Sequence, residues 1–339
     1  MNVGKPLYAL ATVALLPCLP AAAHHSFVAF DEESTITVTG TVTDFRFVNP
    51  HTYFFVDVAN DVGETVNFRV EGETRNDLYR NGWRDDTLVV GDVVSVTVNP
   101  ARDANRRYGR LLSLVKADGS FYDIPNEEDE AGRRNRVPAA SLEGVWLPVQ
   151  TFREMFAKIG PLGTQRARAE QAQTEAAQLT PANVRCYNYA LLPFQLGRAH
   201  VFEIEFAGDD LILVHGEDLE FPRQIHLDGR VHPESLPVEE MSYMGHSIGH
   251  WEGDTLVIDT RHFRPRAGGN TPYPSGTQKH LIERYRLSED RTSIIIDWTL
   301  DDPEYLAASV SHTFEWQHSP HVVRQPWSCD LEAAAEYLK

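Results

Sequence analysis

Cysteine and cationic side chains are both scarce in this chain. Only 3 cysteines occur among 339 residues. Lys and Arg together number 31 against 49 Asp and Glu, a formal charge of −18. So acidic a surface repels nucleic acid and anionic membranes, which argues against both as partners. After the first two dozen residues no apolar run approaches the roughly 18 residues of a membrane span. The Gly-x-Ser-x-Gly elbow, the P-loop, the His-Glu-x-x-His helix and the dinucleotide fingerprint are all missing. Their absence sets aside the enzyme classes that depend on them.

What is present begins with a leader. Lys5 precedes an apolar stretch from Leu7 to Leu16 that Pro17 and Pro20 interrupt, and the small residues Ala21-Ala22-Ala23 follow. This order predicts a signal peptide over 1–23 and export to the periplasm or beyond. Cleavage there makes His24 the first residue and moves the charge to about −19. Cys18 falls inside the leader behind Pro17, a poor fit to a lipoprotein signal, so soluble export is expected. Cys186 and Cys329 remain, and in an oxidising compartment they are expected to form one disulfide. A staple closing so long a loop is worth about 4–5 kcal/mol in the chain-entropy model.

Two β-rich regions follow. Over 24–125 the expected strands are Thr35 to Thr39, Thr41 to Phe45, Tyr53 to Val58, Thr65 to Val70, Leu88 to Val90, Val93 to Val98 and Leu111 to Val115. Asn60-Asp61, Gly91-Asp92 and Asn99-Pro100 supply turns between them. With one helical stretch at Arg75 to Asn81, the pattern predicts a small OB-like barrel, with a small sandwich as the alternative. Residues 126–140, dense in charge of both signs, read as a solvated linker. The remainder, 141–339, opens on Gly144-Val145-Trp146, and Gly-x-Trp in that position resembles the first strand of lipocalin-like barrels. One polar helix, Arg166 to Gln178, precedes seven or eight strands, from Val201 to Phe206 through Ser309 to Trp316. That succession predicts a larger up-and-down barrel. The fold class is therefore mostly β, in two barrels.

Two motif sets resemble known families. His24-His25-Ser26-Phe27 with Asn49-Pro50-His51 is similar to a family of small exported bacterial β-domains of unknown function. Arg223 to Pro233, Gly245 to Leu256 and Glu283-Arg284-Tyr285 resemble a second, uncharacterised β-barrel family. The resemblance implies architecture and export, and no activity. After Cys186 the chain departs from the second pattern, with Tyr187-Asn188-Tyr189 in place of Pro and Gly.

Two stretches concentrate reactive side chains. His24, with its free α-amine, His25 and His51 form a nitrogen-rich set of the kind that suits Cu(II), as in histidine-brace oxygenases. The alternative is that His51 only bonds a loop carbonyl. The second stretch runs from His226 to Asp259 and continues to Glu283. Imidazole titrates near neutrality and a carboxylate orients it, so the stretch suits acid–base chemistry. The expected catalytic set is His246 as acid or base, with His232, Glu283 and Asp259, and Arg230 holding an anionic or carbonyl group. Trp251, Tyr243, His250 and Tyr285 are the expected substrate contacts. Gly245 and Gly249 suggest a loop that closely approaches a ligand. Asp228-Gly229 and Glu252-Gly253-Asp254 are equally ordinary hairpin turns. Alternation lets only one of Glu283 and Arg284 face the barrel interior. His312, His318 and His321 are expected at the surface.

These residues support an exported enzyme that needs no cofactor. It would use a His/Glu/Arg site inside an aromatic-lined barrel for isomerisation, cyclisation, dehydration or hydrolysis of a small, partly apolar molecule. The alternative is a non-catalytic periplasmic binding protein, for a small apolar ligand or for copper at the N-terminal histidines. A third reading, an envelope interaction module, predicts no deep pocket in the second barrel.

Overall fold

The computed structural model describes residues 29–60, 62–124, 136–149, 153–176, 191–198, 200–270 and 272–335. The leader, His24, His25, residues 125–135 and Cys186 lie outside them.

The first barrel is built from β1 (Ile36–Arg46), β2 (Tyr53–Ala59), β3 (Thr65–Glu71), β4 (Val93–Pro100) and β5 (Tyr108–Lys116), with α1 (Arg75–Arg80) between β3 and β4. The antiparallel order β3-β2-β1-β4-β5 is closed by a parallel β3–β5 pairing, and β6 (Phe121–Asp123) adds to β5. This is the five-stranded OB arrangement. Period-two alternation puts Val94, Val96 and Val98 of β4 into the core with Phe54, Val56 and Leu114. Thr74 caps α1 by accepting from the Asp77 amide at 3.0 Å, and Leu78 and Trp83 fill the barrel. The two strands expected on either side of Gly40 are one. A Cβ at Gly40 would collide with the Asp57 carbonyl, so the glycine allows β2 to approach rather than breaking the strand. Leu88 to Val90 is not a strand. Val89 and Val90 sit exposed in the turn made by Gly91-Asp92.

The second barrel has nine strands, closed in the order β10-β11-β12-β15-β16-β17-β7-β8-β9. They are β7 (Gly144–Pro148), β8 (Phe202–Phe206), β9 (Leu211–Gly216), β10 (Arg223–His226), β11 (His246–Glu252), β12 (Thr255–Arg261), β15 (His280–Leu287), β16 (Ser293–Asp301) and β17 (Val310–His318). A separate hairpin, β13 (Arg266–Asn270) with β14 (Tyr273–Ser275), carries helix α3 (Gln165–Ala176). A shorter helix, α2 (Arg153–Ile159), lies along β17. Trp146, at the Gly-x-Trp start, is fully buried and donates its Nε1–H to the Leu142 carbonyl at 3.0 Å.

Neighbouring strands run antiparallel except at one seam. There β10 and β11 are parallel through Ile225↔Ser247 and His226↔Ile248. A parallel pair needs a crossover, and residues 227–245 supply it. Across the seam, inside the barrel, Arg223 donates to both carboxylate oxygens of Glu283, to Ser247 Oγ at 3.1 Å and to Thr260 Oγ1 at 2.9 Å. The Tyr285 hydroxyl also donates to Glu283, at 3.0 Å. One side chain thus ties β10 to β11, β12 and β15 where the backbone ladder is shortest. The rest of the interior is packed with Trp146, Trp298, Trp316, Phe202, Phe314 and Tyr285, with Phe202 stacked on Trp316 at 4.4 Å.

The barrels meet through charge. Arg80 of α1 donates to both oxygens of buried Glu217 at 2.9 Å. Burial alone would raise the Glu217 pKa, but His200, Arg80 and the Gln325 amide outweigh it and hold it at about 2. Asn49 pairs by its backbone with Cys329 near the chain's end.

Candidate active site

Alternation along β12 sends Leu256, Ile258 and Thr260 inward and leaves Asp259 on the outer wall. The same parity places Glu283 inside and His280 outside on β15, and Ser247 inside and His246 outside on β11. In the ladder His226 pairs with Ile248, Ile248 with Asp259, and Asp259 with Ile282. These residues form one row across the outside of the barrel. The 227–245 crossover returns over this row and lowers His232 onto it. His262, at φ 55, a backbone region that side chains seldom adopt, holds the crossover by a 2.9 Å bond between its Nε2 and the Pro233 carbonyl.

Five side chains result in one hydrogen-bonded network. His232 Nδ1 lies 2.9 Å from His246 Nδ1, and His232 Nε2 lies 3.0 Å from Asp259 Oδ1. His280 Nε2 reaches the same carboxylate oxygen at 2.9 Å, and Arg261 Nε reaches it at 3.2 Å. Burial pulls the pKa of His246 down to about 4, helped by the neighbouring His232, His226 and His262. Burial also lowers His232 and His226. For Asp259, burial raises the pKa, but donation from His280 and Arg261 more than reverses this and keeps it ionised.

Those protonation states fix the direction of the chain. Ionised Asp259 accepts from His232 Nε2–H. A neutral His232 then has a bare Nδ1, which accepts from His246 Nδ1–H. His246 Nε2 is left with its lone pair, and the His226 ring stacks on the His246 ring with centroids 5.7 Å apart. A proton taken at Nε2 leaves an imidazolium whose charge is shared through His232 with Asp259.

Of the expected catalytic residues, His246, His232 and Asp259 come together. Glu283 does not join them. It faces the interior and is fully buried against Arg223, the barrel wall standing between it and the histidines. Arg284 is the outward partner of that pair and bonds Glu252 at 2.6 Å. The histidines therefore lie outside the barrel and not in its aromatic interior. Arg230 is on the crossover and grips Asp228 through Nη2 at 2.6 Å.

The expected substrate contacts are dispersed. Tyr285 is inside the barrel, while His250, bonded to Glu252, and Trp251 are exposed toward the far end of β11. Tyr243 lies beneath Arg264 and Arg266, 5.4 and 5.0 Å from its ring. Residues 246–252 are a strand, not a loop. At Gly249 a Cβ would press the side-chain ends of Leu227 and Ile225 at 2.9 and 3.0 Å. His280 and His262 are members that sequence reasoning missed. The parity of β15, once Glu283 is placed inside, is the signal that brings His280 to Asp259.

At the other stretch, His51 Nδ1 is 3.4 Å from Glu71 Oε1, and burial raises the pKa of Glu71. His24 and His25 lie outside the described residues. Among the described residues no three His, Cys, Asp or Glu side chains converge as a metal-binding group. No described helix is long and apolar enough to cross a membrane. His312 is buried rather than at the surface, and His318 bonds the Val137 carbonyl at 2.9 Å.

No curated protein matches the chain. Among solved structures, a point mutant of the fluorescent protein UnaG aligns with 52% of this chain and 96% of its own at 11% identity. Its TM-score is 0.26, too low to carry an argument about ligand or activity. The Arg223–Pro233 and Gly245–Leu256 motifs lie beyond the residues that a matching family model covers. Residues 12–110, which span the first barrel as far as β5, match that model, a family of unknown function, DUF6152.

Proposed function

We propose that the chain is an exported enzyme in which His246 takes a proton from a small, partly apolar substrate at the outer wall of the second barrel. The observation that supports this is the Asp259–His232–His246 chain, with contacts of 3.0 and 2.9 Å ending on a bare imidazole nitrogen. Isomerisation, dehydration and cyclisation can each start with such a removal, and in hydrolysis the same base would take the proton from the attacking water. So weakly basic an imidazole suits only an activated substrate proton, such as one on a carbon between two carbonyls. Arg230 is the residue we assign to the resulting negative charge. Its bond to Asp228 is a solvent-exposed ion pair, which costs little to exchange.

Proton abstraction has a readout that does not depend on the identity of the product. Processed protein is incubated in D2O with a panel of small carbonyl compounds, and exchange at the carbon next to the carbonyl is followed by NMR. Exchange catalysed by the native protein and lost in His246→Asn supports the proposal. A panel member that binds without exchange, with an affinity that His246→Asn alters, establishes the binding-protein reading instead. Exchange that is absent, or the same in both proteins, overturns the enzyme.

A further inference from the structure

The crossover that carries His232 is tied to the barrel at its two ends and at one place between them. At one end the Leu227 amide donates to the Asp210 carbonyl at 2.7 Å, and at the other the Arg264 amide donates to the Ser242 carbonyl at 2.8 Å. From Asp228 to Tyr243 no residue is buried, and Val231 is 82% exposed. The stretch therefore gives no buried side chain to the core. Between its ends, its hydrogen bonds to the barrel among the described residues come from two adjacent residues. His232 bonds His246 and Asp259, and the Pro233 carbonyl accepts from His262 at 2.9 Å. The Arg230 pair with Asp228 and the bonds of the Val238–Glu240 turn are internal to the stretch.

Exposed segments with few buried contacts open at the low end of a protein's local stabilities. Gly229 lies at φ 75 with open space around it, which suits a pivot. His262 is the opposite case. Its φ of 55 is unfavourable for a side chain and persists only where the surroundings impose it. A carbonyl only accepts, so the Nε2 that meets Pro233 carries the ring proton. The strained backbone thus presents one N–H donor to the middle of the crossover, one residue from His232.

We propose that residues 229–241 are a lid over the outer wall, and that His262 is the latch that sets His232 on Asp259 and His246. With the lid raised, Asp259 keeps His280 and Arg261, while His246 Nδ1 loses its acceptor. The relay is complete only with the lid down. His262 acts through His232 and is a positioning residue. What passes beneath the lid rests on the proposed reaction, whereas the movement itself does not.

Native-state proteolysis reads the movement without a substrate, so a failed proton-exchange assay leaves this test intact. The lid carries Glu234, Glu239 and Glu240, all exposed. A glutamate-specific protease is applied to the folded protein, and mass spectrometry times the cut at each of them and at Glu252 of β11. His262→Gly deletes the latch and relieves the backbone, since glycine adopts φ 55 freely. It is expected to speed lid cleavage at least tenfold, with the melting temperature and the cut at Glu252 unchanged. His262→Gln offers an N–H at similar reach and is expected to restore most of the protection. Low urea should leave the native lid rate unaltered, because local opening exposes little surface. Equal lid rates in the native protein and His262→Gly overturn the latch, and a His262→Gln that is cut as fast as His262→Gly overturns its assignment to the hydrogen bond. A lid cut only with the urea dependence of global unfolding overturns the lid.

Discussion

His232 and His246 meet nitrogen to nitrogen, Nδ1 to Nδ1 at 2.9 Å, although one is on a crossover and the other opens a strand. A hydrogen bond between two imidazoles requires that one donate and the other accept. Asp259, 3.0 Å from the far nitrogen of His232, decides which does which.

Removing the middle of the chain tests this order. His232→Ala strips His246 of its partner and leaves the barrel strands untouched, since His232 is not in a strand. Turnover is expected to fall by about 10²- to 10⁴-fold, the usual worth of positioned acid–base catalysis. His280→Asn keeps His232 on Asp259, so its loss should be much smaller. Rates for both variants, with circular dichroism to verify folding, check the prediction.

The histidine pKa values set a pH dependence whose sign follows directly. His246 has an ordinary value near 6.5 when unfolded and about 4 when folded. Between those values the unfolded chain binds the proton and the folded chain does not. Stability from this group is therefore complete above pH 6.5, falls as pH drops toward 4, and is constant below. Melting temperature should decline across that window, and less steeply in His246→Asn. Turnover requires the neutral base, so it should hold from about pH 8 down to about 5 and disappear through 4.

Inside the barrel, Arg223 and Glu283 should behave as a structural pair. Glu283→Leu leaves a buried guanidinium without its counter-charge and should cost about 3–5 kcal/mol in chemical denaturation. The double variant Arg223→Met with Glu283→Leu removes both charges and should recover most of that loss. If Glu283→Leu were neutral for stability yet abolished turnover, Glu283 would belong to the chemistry after all.

Copper at His24, His25 and His51 is a separate proposal. Correctly processed protein should hold stoichiometric copper, and a version with one added residue ahead of His24 should lose it. Equal metal content in both removes the N-terminal site. His51 Nδ1 already faces Glu71, so a copper ion would have to use the other ring nitrogen or displace that contact.

The mostly β character and two successive barrels are legible in the sequence because valine-rich alternation and Gly-Asp or Asn-Pro turns are local signals. Gly40 and Gly249 mislead for a shared reason. Gly40 faces the Asp57 carbonyl and Gly249 the side chains of Ile225 and Leu227, neighbours that are distant in sequence. His246, His232 and Asp259 stand out as titratable groups among glycines. Glu283 joins them on composition alone, because which parity of β15 faces inward depends on its register with β12 and β16. His280 and His262 are hidden for the same reason. A place near the C-terminus suggests an exposed His312, whereas the residue lies on the inward parity of β17.

The measurement that tests the relay most directly is 15N NMR of the imidazole nitrogens of His232 and His246 across pH. At about pH 7 the chain predicts protonated Nδ1 and bare Nε2 on His246, the reverse on His232, and a His246 transition near pH 4. A His246 protonated at Nε2, or one that titrates near its ordinary value of 6.5, would contradict it.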